Sequence, residues 1–235
     1  MTDDHRFTRP LYTVPQAARL VGMAPSTLTT WAKGYRRQFR DRPDVVQGPV
    51  ITSIRPALPG DASIPFVGLV EAAVVQAFRR TDLPLQRIRT ALRVLSEQET
   101  LDHPLASRRL YSDGARLLFD YAEESADGQL RLLTVVSSGQ RLFHEVILEY
   151  LRRIEFGDEW ASALIVPVTE REVLRVRPEV ADGDPLFVHG GAPLSPVISR
   201  FHAGEPVESL SVDYDVPAED IREAMRGLGV TGKAA

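Results

Sequence analysis

Residues Tyr12 to Arg40, YTVPQAARLVGMAPSTLTTWAKGYRRQFR, restrict the possible folds of this chain more than any other stretch. Thr13 with Gln16 three residues later has the form of a capping box, and Pro15 falls in the first turn, where a missing N–H costs little. A helix is therefore expected from about Val14, with Val14, Ala17, Ala18 and Val21 on one side at spacings of three and four. Gly22 ends it, Met23 and Ala24 make a turn, and Pro25 suits the first position of a second helix. Leu28 and Trp31 share one face of that helix, while Ser26, Thr29, Thr30 and Lys33 turn elsewhere. Two short helices joined by about three residues including a glycine describe a helix-turn-helix. An ordinary hairpin of core helices would share the periodicity. It gives no reason for Arg36, Arg37, Arg40 and Arg42 to follow at once.

Those cations and hydroxyls define a candidate DNA-contacting set. Ser26, Thr27, Thr29, Thr30 and Lys33 come from the second helix, and Tyr35, Arg36, Arg37 and Arg40 from the segment behind it. Hydroxyl and cationic groups suit phosphate oxygens and base edges. The net charge of −4 looks wrong for such a partner until it is divided along the chain. Residues 1–60 hold nine Lys/Arg against four Asp/Glu, a net +5; residues 61–156 hold twelve against fourteen, a net −2; residues 157–235 hold seven against fourteen, a net −7. A basic end can meet phosphates while the acidic end is repelled from them and left for a protein partner.

Beyond the helix pair, Pro43, Pro49, Pro56 and Pro59 make residues 34–63 irregular. Val45 and Val46, then Val50 and Ile51, flank Gln47-Gly48 and suggest an extended hairpin, or wing. Helices are expected at Phe66 to Arg80 and Leu85 to Ser96. Asp113-Gly114 and Asp127-Gly128 mark turns of a β-meander over residues 110–136, followed by a helix from Ser138 to about Ile154 with an apolar stripe from Leu142 to Leu151. Trp160 to Val168 and Val173 to Val176 read as strands. Three helices then fit the tail, Leu194 to Ala203, Val207 to Tyr214 and Ala218 to Gly227, again in helix-turn-helix form. The fold expected is mainly α with small β-hairpins (α+β): a DNA-binding head at 1–98, a central meander with helix at 99–169, and a small helical domain at 170–235. A single helix-turn-helix reads only a half-site, so a homodimer is expected, with the Leu142–Leu151 stripe or the meander as its seam.

Enzymatic chemistry finds little support. The five histidines, His5, His103, His144, His189 and His202, lack ligand spacing, so no metal is expected. No Gly-x-Ser-x-Gly elbow accompanies His189-Gly190-Gly191, which reads as a turn needing positive φ. No phosphate-cradling glycine motif implies a cofactor. The pair Glu219/Asp220 falls at a helix start, where solvated or dipole-satisfying roles are the default. No apolar run approaches a membrane span, the start MTDDHRF does not resemble a signal peptide, and there is no Cys. A cytoplasmic protein without catalytic residues is the expectation.

The head resembles the MerR-like winged helix-turn-helix, with matches at Tyr12, Ala17, Ala18, Gly22, Thr27, Leu28 and Trp31. Thr29 departs from that pattern, which commonly has an Arg for a phosphate contact there; nearby arginines would have to supply the charge. The tail resembles a small domain that recurs in bacterial antitoxins, through Arg177-Pro178, Gly183-Asp184-Pro185, Gly190, Gly204-Glu205 and the Asp220–Ala224 helix. The order of head and tail is similar to a subgroup of VapB-type antitoxins encoded beside PIN-like ribonuclease toxins. That resemblance implies two partners, double-stranded operator DNA and a cognate ribonuclease toxin. The alternative it leaves is a MerR-like effector-responsive transcriptional regulator. Against that alternative, the chain after Ser96 turns to hairpins where such regulators have a long dimerising helix.

Overall fold

The computed structural model describes residues 4–38, 40–41, 43–80, 84–86, 88–89, 92–93, 102–108 and 152–231. The expected meander and its dimer seam, residues 110–151, lie outside them, as does most of the helix expected to end near Ile154.

The head begins with a single helical turn, α1 (His5–Thr8), whose amide at Arg6 is capped by the Asp4 side chain. Helix α2 (Val14–Val21) starts with the complete capping box of Thr13 and Gln16, and Gly22 closes it in the left-handed conformation at φ 75°. That conformation lets the amides of Gly22 and Met23 turn back on Ala18 and Arg19 carbonyls. Helix α3 (Pro25–Lys33) follows, burying Leu28, Trp31 and Ala32. Strands β1 (Tyr35–Arg37) and β2 (Val45–Gln47) then pair antiparallel, with Arg36 opposite Val46. The wing thus differs from the expected one. Its two strands are 35–37 and 45–47, and Val50 and Ile51 belong to neither. The amides of Val50 and Ile51 instead go to the Trp31 carbonyl. A tertiary bond to the end of α3 has outcompeted local strand pairing.

Helix α4 (Phe66–Arg80) is the hub of the molecule. Twelve of its fifteen residues are buried, because α1, α2 and the later strand β4 all pack on it. Hydrophobicity on every side is what a central helix needs. The described residues from 85 to 93 are also helical.

A four-stranded antiparallel sheet precedes the tail helices: β3 (Ile154–Phe156), β4 (Ala161–Ile165), β5 (Leu174–Val176) and β6 (Leu186–Phe187), in sequence order. Strands β4 and β5 lie within the expected strand regions. Ile154 opens a strand instead of closing a helix, and β6 was not anticipated; two residues between prolines and glycines carry no periodicity. Helices α5 (Leu194–His202), α6 (Val207–Tyr214) and α7 (Ala218–Gly227) fall where they are expected, α5 stopping one residue before Ala203. Gly190 and Gly191 have the positive φ expected of that turn.

One hydrophobic core runs from Tyr12 through α4 and the sheet to Leu228. Polar contacts reinforce this joint. The Tyr12 hydroxyl donates to the Gly183 carbonyl at 2.7 Å, Arg6 reaches Asp158 at 3.0 Å, and Arg9 reaches Asp182 at 2.8 Å.

Candidate nucleic-acid interface

Helix α3 buries Leu28 at 0% and Trp31 at 3% exposure, which fixes the direction of its other residues. Ser26, Thr27 and Lys33 are exposed, whereas Thr29 and Thr30 are half-buried. The Thr29 hydroxyl donates to the Pro25 carbonyl at 2.9 Å and the Thr30 hydroxyl to that of Ser26 at 3.0 Å. Their oxygens keep lone pairs for accepting, but their protons are spent within the helix. Ala24 at the N-cap offers no side chain to the first amides of α3. The first turn of α3 also holds no acidic residue, so the helix brings no carboxylate of its own to the positive end of its dipole.

Glycine at position 34 joins this helix to the wing. Its φ is 72°, and a Cβ there would lie 2.1 Å from the Gln47 carbonyl oxygen. No other residue lets β1 leave α3 so close to β2. Tyr35, Arg36 and Arg37 are thereby carried on β1, all exposed, with exposed Arg40 in the loop beyond. Arg36 is engaged by Asp44 across the wing at 2.9 Å. Tyr35 accepts a bond from Gln86 at 3.4 Å. The nine predicted residues thus occupy two consecutive elements, α3 and the wing that starts one residue later.

Two supports of this surface were not singled out from the sequence. Arg89 donates through Nη1 to the Gly48 carbonyl at the end of the wing, and burial pushes its guanidinium pKa down. Glu71, 4% exposed on α4, accepts the Thr52 amide and stands 3.1 Å from His103 Nδ1. The hydrogen bond to Glu71 raises the pKa of His103 against the opposing effect of burial. A lone carboxylate inside the apolar run LVEAAVV was the signal available for Glu71. Nothing local pointed to His103, which arrives from 32 residues away in sequence.

In the tail, Asp220 lies in the first turn of α7, which leaves the dipole-satisfying role of the two expected and rules out the solvated one. It is 1% exposed, not solvated, and is met by His189 Nδ1 at 2.7 Å and Arg171 at 3.1 Å. Arg171 also binds Glu223, Arg200 binds Glu205 and Asp213, and Arg222 binds Glu208. Among the described residues no group of three or more His, Asp or Glu could hold a metal ion, and no helix is long and apolar enough to cross a membrane.

Residues 10–92 match a family model described as "Putative DNA-binding HTH domain". "Putative antitoxin VapB45" of Mycobacterium tuberculosis is 36% identical over 229 residues, which cover 95% of this chain and 95% of that protein. "Uncharacterized protein Rv2308" of the same organism is 28% identical over 92% of this chain and 89% of its own length. A crystal structure of Rv2018 from Mycobacterium tuberculosis superposes with a TM-score of 0.73 at 30% identity, covering 94% of this chain and 99% of that one.

Proposed function

Because the chain belongs to the VapB antitoxin family and carries a DNA-binding helix-turn-helix, we propose that it is the antitoxin of a bacterial toxin-antitoxin pair. In this reading the head binds double-stranded operator DNA and represses its own operon. The acidic tail helps to hold and neutralise a PIN-like ribonuclease toxin. The protein acts by binding, without a catalytic step or cofactor.

The observation that carries the DNA half is the continuity of α3 and wing. An uncapped helix start with Ser26 and Thr27, then Lys33, then three exposed side chains on β1 form one run of donors. An α-helix in the major groove with a basic wing beside it would place base edges under Ser26, Thr27, Thr29 and Thr30, and phosphates under Lys33, Tyr35, Arg36, Arg37 and Arg40. Arg36 would exchange Asp44 for phosphate. Family membership and the acidic balance of residues 157–235 support the toxin half. A nuclease that holds RNA presents cations around its active site, and carboxylates complement them.

Two copies would pair so that two heads read two half-sites, with the seam in residues 110–151. The division of the chain at 98 and 169 assigns DNA to the first part, pairing to the second and toxin to the third.

Electrophoretic mobility shift with the protein's own upstream DNA, repeated after co-purification with the neighbouring ribonuclease, tests both halves. Retarded DNA and a stable complex with suppressed RNA cleavage are expected. Full RNA cleavage in the co-purified complex would remove the antitoxin assignment, and absence of a shift would remove the operator.

A further inference from the structure

Behind the wing lies a cavity of about 730 Å³, between the chain that leaves β2 and the helical residues of 85–93. A volume of this order is that of small-molecule sites. Val50, Ile51 and Leu92 give it apolar walls, and Arg89 and Arg93 give it positive ones. Glu71 is the one carboxylate among the described lining residues, and it is already committed to the Thr52 amide and His103. Among the described lining residues, Arg89 and Arg93 therefore have no carboxylate to answer them.

Arg89 makes that lack specific. Its Nη1 is bound to the Gly48 carbonyl, but Nε and Nη2 are enclosed and have no hydrogen-bond partner. Leaving enclosed donors unmet is costly, and these two form the edge of a guanidinium that binds a carboxylate or phosphate through parallel bonds. A rotation of the Arg89 stem would bring this edge to an anion in the cavity. Arg93, one helical turn further and exposed, would supply the second charge.

We propose that this cavity binds a small oxyanion, a carboxylate or phosphate monoester carried on an apolar body, with Arg89 as its bidentate partner. The site does not depend on the antitoxin reading. It does touch the DNA-binding head, because the Gly48 carbonyl that Arg89 holds is the end of the wing. An anion that draws Arg89 away releases this anchor, so occupancy lowers DNA affinity.

Isothermal titration calorimetry of the full chain with phenyl phosphate, benzoate and inorganic phosphate, at constant ionic strength, tests the site. Saturable binding of phenyl phosphate or benzoate is expected, weakened about tenfold or more by Arg89→Gln and unchanged by Arg37→Ala. Should Arg89→Gln fail to fold, the exposed Arg93→Gln carries the test and must also weaken binding. No saturable heat from either organic anion, or an equal loss in Arg37→Ala, overturns the site; the latter places the anion on the DNA face. Inorganic phosphate binding as tightly as phenyl phosphate overturns the apolar body. Fluorescence anisotropy with the upstream DNA then reads the coupling. An affinity unchanged by saturating phenyl phosphate, in a protein that does bind DNA, overturns the coupling and leaves the site standing.

Discussion

The head and the tail use one local device, two short helices joined by a tight turn, and dress it in opposite ways. In the head, α2 and α3 lead directly into an exposed basic strand, and the outward face of α3 carries hydroxyls and Lys33. In the tail, α6 and α7 lie among ion pairs that engage the neighbouring cations: Arg222 on Glu208, Arg200 on Glu205 and Asp213, Arg171 on Asp220 and Glu223. The packing of a helix-turn-helix is therefore no guide to what it binds. What differs is the charge left over on the outside.

The two regions also stabilise a buried carboxylate differently. Glu71 in the head is answered by the Thr52 amide and His103, whereas Asp220 in the tail has His189 and a permanent cation, Arg171.

The largest effect expected is on packing, where head and tail should behave alike. Trp31→Ala and Leu210→Ala each empty a site that is at most 3% exposed, and should cost ~3–5 and ~2–5 kcal/mol respectively in denaturant unfolding. Because one core spans both regions, each should shift a single transition. Two separate transitions would show that head and tail fold independently.

Next comes the charge difference itself. Arg36→Ala combined with Arg37→Ala should flatten the dependence of log affinity on log salt by about one to two units, at ~0.9 per phosphate contact. An unchanged slope would take these arginines out of the interface.

A smaller effect should appear with pH. A histidine held more basic in the fold than in the open chain contributes stability that is complete below about pH 6.5 and is lost as pH rises through its higher folded value. Wild-type stability should decline over that window, and His103→Gln should flatten the decline. A decline that persists undiminished in the variant would assign it to another group.

The smallest expected effect is none at all. Arg222→Ala should leave the salt slope of DNA binding where it was, since Glu208 already holds that cation. A flatter slope would erase the contrast between the two helix pairs. Substitutions serve these tests better than cutting the chain at Arg177. Such a cut removes Gly183, the partner of the Tyr12 hydroxyl, and Asp182, the partner of Arg9.

The sequence by itself determined the helices and their polarity. The capping box of Thr13 and Gln16, prolines at helix starts, Gly22 at a helix end and the 3.6-residue periodicity are interactions within a few residues, so α2, α3, α4 and the three tail helices were legible before any contact was known. The charge gradient was legible too, being additive. Only the tertiary structure decided the strand pairing of the wing, where Val50 and Ile51 go to the Trp31 carbonyl, and the strands at Ile154 and Leu186, too short to show a period. It alone brought His103 to Glu71, Arg89 to Gly48, and Asp220 into the interior beside Arg171. The bonds of Val50 and Ile51 to Trp31, of His103 to Glu71, of Arg89 to Gly48 and of Asp220 to Arg171 each join residues that are 19 or more apart along the chain, and local propensity carries no record of such a distance.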